Sequence, residues 1–191
     1  MELNLEKYKR DLKRLFIVHV CQILLTVLAL VPFLTNVLKV ISVFVLLGIV
    51  LVLFDLSKEM NNKRFFKAAI FMLIAEGIHI VDQFGNGSII SLMKSIFLIL
   101  SLYQECNGHA EVLAEFNGAL SKRWKDYFGI YLWVTIGVNM ILSAFIIALS
   151  GLFFQYAVLT LVVTLIASVG YALVLEVLYL FTIKSTLKMF I

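Results

Sequence analysis

The sequence is short of proline, cysteine and charge. Pro32 is the single proline in 191 residues. It falls at the end of an apolar run, so no membrane-length segment carries the mid-span proline that many carriers use to break a helix. Gly77 and Gly137 are the remaining points where such a helix could loosen. Cys21 and Cys106 are the only cysteines, and neither has a CxxC partner. They are expected to be separate, inert thiols rather than a disulfide or a metal knuckle. Charged residues make up 15% of the chain and hydrophobic residues 62%, with mean hydropathy +1.03. A soluble domain carries roughly 25% charge and about 45–50% apolar residues. One soluble core could not hide this much apolar surface, whereas a bilayer can, because lipid solvates the outer faces.

Catalytic signatures are missing as well. The chain has no HExxH, no GxSxG, no P-loop and no repeated acidic metal-binding motif. Glu76-Gly77-Ile78-His79 matches the Glu-x-x-His element of di-iron bundles, but those need two copies and further carboxylates. The expectation is therefore no enzyme, no cofactor and no metal.

What is present is a series of long apolar runs. A span needs ~20 apolar residues at a rise of about 1.5 Å each. Six stretches qualify, near 15–34, 37–54, 65–83, 88–104, 127–149 and 156–183. The first follows a basic flank like a signal peptide's, but it is too long for an h-region and no small-x-small site follows. It reads as an uncleaved span. The links 32–36, 84–87 and 150–151 are short and rich in turn residues, so the spans should pair as three antiparallel hairpins. The fold expected is an all-α integral membrane bundle of six helices, in one polytopic domain over 1–191.

Charge orients this bundle. With both termini in the cytoplasm, every lysine and arginine except Lys39 and Lys94 lies in an inner segment, as the positive-inside rule requires. The formal net charge of +4 is thus explained by membrane topology, with no nucleic-acid partner implied. Basic-aromatic patches at 13–16, 63–66 and 122–125 precede successive hairpins. They fit either a duplicated two-helix unit or the general preference of inner helix starts for Lys, Arg and an aromatic.

The link 105–126 is the one substantial segment outside the spans. Val112, Leu113, Phe116, Leu120 and Trp124 recur at helical spacing, with Glu111, Glu115, Lys122 and Lys125 on other faces. This pattern predicts an amphipathic helix lying on the inner surface or under the bundle. His109, in the same link, is expected to be solvated.

Ionisable groups inside a bilayer are expensive and call for a partner or a function. Glu76 and His79 share one side of the third span. Lys94 in the fourth span reaches similar depth across the turn, within ~3 Å by helix rise, so a Glu76–Lys94 pair is expected. Its functional reading is a mid-membrane proton or solute site. Its structural reading is a buried ion pair that orders the hairpin. Thr164, Ser168, Ala172 and Glu176 form a slowly winding stripe on the sixth span, and Glu176 needs a partner. His19, at the inner depth of the first span beside Gln22 and Thr26, is the choice. Thr135, Asn139 and Ser143 line one side of the fifth. The second span, with little beyond Ser42 and Gly48, is expected at the periphery.

Two functions follow. In the first, a small transporter or transport-related subunit moves a solute or proton along a polar interior. Glu76, His79 and Lys94 act centrally, Asn139 and Ser168 line the path, and His19 with Glu176 gates the inner end. In the alternative, a membrane-embedded scaffold uses its polar residues as interhelical glue, at roughly 0.6 kcal/mol each. Its inner-surface helix (Leu113, Phe116, Leu120, Trp124) then meets a partner membrane protein. A homodimer packed through Ala144 and Ala148 is compatible with both.

Overall fold

The computed structural model describes residues 5–28, 31, 35–82, 88–150 and 157–190. The turns expected at 32–36, 84–87 and 150–151, and the side chains of His79 and Ala148, lie outside the described residues or side chains. Six helices account for nearly all that is described: α1 (Leu5–Leu28), α2 (Thr35–Glu59), α3 (Lys63–Asp82), α4 (Ser88–Ala114), α5 (Gly118–Ser150) and α6 (Ala157–Leu187). A short 3-10 turn, Lys188–Phe190, follows α6. Three stretches, in α2, α5 and α6, are long and apolar enough to cross a membrane, which marks the chain as a membrane protein.

Each helix packs chiefly on its chain neighbours, and α6 returns to α1, so the six close into a ring. The most extensive pairing is α3 with α4. The second helix is a full member of this ring, contrary to the expected peripheral place. Its later half buries Ile49, Val50, Val52, Leu53 and Leu56. Sequence polarity misplaced it because the side chains it buries are apolar.

Two sharp turns bind the ring at the end that holds both termini. Asn61, at φ 46°, ends α2 in the left-handed conformation, which asparagine tolerates better than most residues. Asn62 N–H then donates to Ser57 O at 3.1 Å, closing a Schellman motif. The same Asn62 caps α3 by accepting Arg64 N–H on Oδ1 at 2.9 Å.

The second turn corrects the expected surface helix. Residues 105–126 are not one helix: α4 runs on to Ala114 and α5 begins at Gly118. Asn117 stops the first by donating to Leu113 O at 2.7 Å. It starts the second by accepting Leu120 N–H on Oδ1 at 3.1 Å. Ser121 Oγ donates to Ala110 O at 2.7 Å across the turn. The periodic apolar residues are therefore divided. Leu113 and Trp124 face inward from opposite arms of a hairpin, Leu120 is half-buried, and Phe116 is exposed near the tip.

Packing is uneven along the bundle axis. The core gathers at the terminal end, from Tyr8, Leu12 and Leu15 through Leu53, Leu56, Phe65, Ala68, Cys106, Leu113, Trp124 and Tyr127 to Tyr179 and Ile183. Toward the far end many apolar side chains point outward, including Phe44 (68% exposed) and Trp133 (76% exposed). Helices that lipid already solvates gain little from hiding such groups, so they associate where shape and hydrogen bonds fit.

Candidate functional site

The tight end of the ring is a plug of aromatic and ionisable side chains. α4 places Glu105 and His109 one turn apart on its inner face, and both are buried. Glycine at 108 lets Phe65 approach, since a Cβ there would sit 2.9 Å from the Phe65 ring. Phe65 meets His109 edge-on at 4.8 Å, and Trp124 stacks on the imidazole at 4.1 Å. Tyr8 of α1 reaches His109 Nδ1 at 2.8 Å. With the tyrosine donating, the imidazole hydrogen sits on Nε2, which lies 3.9 Å from Glu105 Oε1, too far for a hydrogen bond. From α6, Tyr179 donates its hydroxyl to Glu105, and Trp124 Nε1 donates to Thr186 Oγ1 at 3.1 Å.

Burial dominates the electrostatics here. Both groups lie beyond the apolar run 88–104. His109 is pushed from 6.5 down to about 3 because its charged form has lost water. Burial raises the Glu105 carboxyl above 4.5, against the pull of His19 and the Tyr179 hydroxyl, and Glu176 adds to the rise. The expectation that His109 would be solvated is overturned. It sits in the middle of the plug because α4 carries it past the apolar run into the ring.

Next to the plug, the His19 ring lies against Tyr179 at 4.4 Å, tilted by 52°, and places Nδ1 3.2 Å from Glu176 Oε2. The partner expected for Glu176 is the one found. Further out, Asp11 is buried and takes Arg10 at 3.1 Å and Arg14 at 3.3 Å on one carboxylate oxygen. The same arginines reach Glu59 and Asp55 on α2.

Above the plug, residues of α1 to α4 line a half-open cavity of about 440 Å³, largely apolar (Leu25, Leu38, Val45, Leu46) but carrying several polar side chains. Its lining includes Gln22 and Thr26 of α1, Lys39 and Ser42 of α2, Glu76 of α3 and Lys94 of α4. The expected Glu76–Lys94 ion pair is absent. The two charges face one cavity without touching. Lys39, which with Lys94 is a lysine outside the inner segments, joins them there.

A second, wider cavity of about 860 Å³ lies between α4, α5 and α6. It takes Asn139, with Thr135, Ser143 and Tyr171. Asn139 Nδ2 is turned back to Thr135 O at 2.6 Å on an exposed face. Ser168 is half-buried in α6 and is not among the lining residues of either cavity. The polar stripes read from the sequence are thus divided among two cavities and the seam beside the plug.

Sequence reasoning missed Tyr8, Glu105, His109 and Tyr179. Glu105 and His109 stand at i and i+4, which was a usable signal, but reading 105–126 as a separate surface helix removed them from the bundle.

Comparison with protein-family models, curated proteins and solved structures gives no match. The functional reading rests on this geometry.

Proposed function

We propose that the chain is a six-span membrane protein with both termini on the cytoplasmic side, and that it binds a small polar solute in the cavity between α1 and α4, as a carrier or a transport-related subunit. The observation that carries this reading is that Lys39, Glu76 and Lys94 line one cavity with Gln22, Thr26 and Ser42. Charges within a membrane span, as at Glu76 and Lys94, are costly and seldom kept without a task. A volume of about 440 Å³ lies in the range of about 300–1,000 Å³ typical of small-molecule sites.

The six apolar runs near 15–34, 37–54, 65–83, 88–104, 127–149 and 156–183 supply the spans, and the basic residues of the terminal end supply the orientation. The plug then closes the cytoplasmic end while the cavity lies toward the outer side. This is the arrangement of a carrier loaded from outside. His19 and Glu176, which join α1 to α6 at the border of the plug, are the contacts that an inward opening would break.

A thermal-shift panel of ions and small metabolites on the detergent-purified protein tests the reading. A solute that raises the wild-type midpoint should lose that effect in Glu76→Gln and Lys94→Gln. Uptake of the same solute into proteoliposomes should fail with them. If no solute in the panel binds, and the two variants merely shift the midpoint equally in every condition, the polar residues are interhelical glue and the scaffold reading takes over.

A further inference from the structure

We infer that the solute of the α1–α4 cavity is a zwitterion, carrying an ammonium and an acid group a few bonds apart. The inference rests on the solute-binding reading above and adds the chemical class.

The cavity's hydrogen-bond inventory points to this class. Thr26 Oγ1 already donates to Gln22 O at 3.0 Å, and Ser42 Oγ donates to Lys39 O at 2.8 Å. Each hydroxyl proton is in use, so what each oxygen can still offer a solute is an acceptor. Gln22 Oε1 is buried and has no hydrogen-bond partner among the described residues. An unpaired buried acceptor is expensive and is relieved by a donor from a ligand or a water. Glu76 contributes a carboxylate. One side of the requirement is therefore a solute rich in N–H.

The other side is an anion. Lys39 and Lys94 are donors without acceptor capacity, and both line the same cavity. Glu76 and Lys94 stand on α3 and α4, facing the cavity without an ion pair between them. Opposite charges held apart in a medium of low dielectric set up a strong local field. A solute with both charges aligns with that field, its ammonium toward Glu76 and its acid group toward the lysines. A plain anion satisfies the lysines and is repelled by Glu76. A plain cation does the reverse.

Two sources offer this chemistry: a free small amino acid, and the headgroup of an ethanolamine phospholipid entering from the bilayer. The test uses the full chain in detergent micelles at pH 7, followed by its thermal midpoint. The probes are glycine, alanine, serine and glutamine as zwitterions, lactate as an anion and ethylamine as a cation. Phosphatidylethanolamine and phosphatidylglycerol are added to separate micelles.

At least one amino acid, or phosphatidylethanolamine, should raise the midpoint saturably. Glu76→Gln should weaken that binding at least tenfold, Glu76→Asp should retain most of it, and Lys94→Gln should weaken it too. Lactate or phosphatidylglycerol should gain affinity in Glu76→Gln. Stabilisation by phosphatidylethanolamine alone supports the zwitterion class and removes the free-solute carrier. Binding of lactate, ethylamine or phosphatidylglycerol in preference to every zwitterion overturns the class while leaving a solute cavity in place. No saturable shift with any probe, and no difference between wild type and the variants, overturns both. Protection of Cys106 from alkylation, measured on each variant, shows that the plug has folded.

Discussion

His109 Nδ1 lies 2.8 Å from Tyr8 Oη, joining residues 101 positions apart inside a plug without water contact. The pair links the start of α1 to the end of α4 across the ring. Its consequences can be measured.

The plug should titrate in two opposed ways. His109 is neutral in the fold, with its value lowered to about 3. The stability it contributes is complete above its unfolded value of 6.5 and is lost as pH falls toward 3. Glu105 has a raised value. Its contribution is complete below the unfolded value near 4.5 and is lost as pH rises through the folded one. The two slopes partly cancel in the wild type. In Glu105→Gln, stability should fall by about 1.4 kcal/mol per pH unit below 6.5. In His109→Gln the fall should vanish, leaving a curve that is flat or rises on acidification. Thermal midpoints across pH 4–8 in detergent read both. Parallel curves for the two variants would show that neither group is held as described.

Gly108 should not tolerate a side chain. Its Cβ would enter the Phe65 ring at 2.9 Å, and that ring is itself buried and packed against His109. Overpacking of this kind destabilises by ~1–3 kcal/mol. A Cβ at Gly77 meets nothing, so Gly77→Ala is the control and should leave the midpoint unchanged or higher. Equal behaviour of the two variants would contradict the packing.

Cys106 should be a built-in reporter of the plug. It is completely buried, whereas Cys21 is exposed, and burial raises its thiol far above the ordinary 9.0, which slows alkylation further. In Cys21→Ser protein a membrane-permeant maleimide should label Cys106 slowly. Tyr179→Phe removes the bond to Glu105 and should accelerate labelling severalfold. Rapid labelling of the otherwise native protein would mean that the plug is open.

Asp11 should matter more than the arginines around it. It is 0% exposed, while the Arg10 and Arg14 side chains are about half exposed. Asp11→Ala leaves two cations at the α1–α2 seam without their shared anion and should lower stability by ~1–3 kcal/mol. Arg14→Gln removes the exposed pair with Asp55 and the longer contact to Asp11, which keeps Arg10 at 3.1 Å, and should stay below about 1 kcal/mol. The ranking is read from midpoints at low salt. The reverse order would place the seam's stability in its surface pairs.

Orientation is open to direct measurement. A fluorescent protein that matures in the cytoplasm should light up when fused to the C-terminus, and a periplasmic phosphatase inserted at 84–87 should be active. The opposite pattern would invert the topology argued from the basic residues.

Much of the helical plan was legible in the chain. Apolar runs separated by turn residues located the helices, because length and hydropathy are local properties. The pairing of His19 with Glu176 followed from depth and the need of a buried carboxylate for a partner. Depth also brought Glu76 and Lys94 to one place. It could not say that a cavity separates them, since that depends on side-chain rotamers and on where α1 and α2 stand. The hairpin at 115–117 was missed for a similar reason. One helical period ran through both arms, and it hid the cap at Asn117 between them. Composition and periodicity by themselves determined the helical class, the membrane setting and which face of each helix is polar. The tertiary structure alone decided that the ring closes from α6 to α1, that Tyr8, Glu105, His109 and Tyr179 meet, and that charges on α2, α3 and α4 share a cavity. Periodicity fixes a residue's angle around its own helix. Which neighbour that angle faces is set by packing among all six.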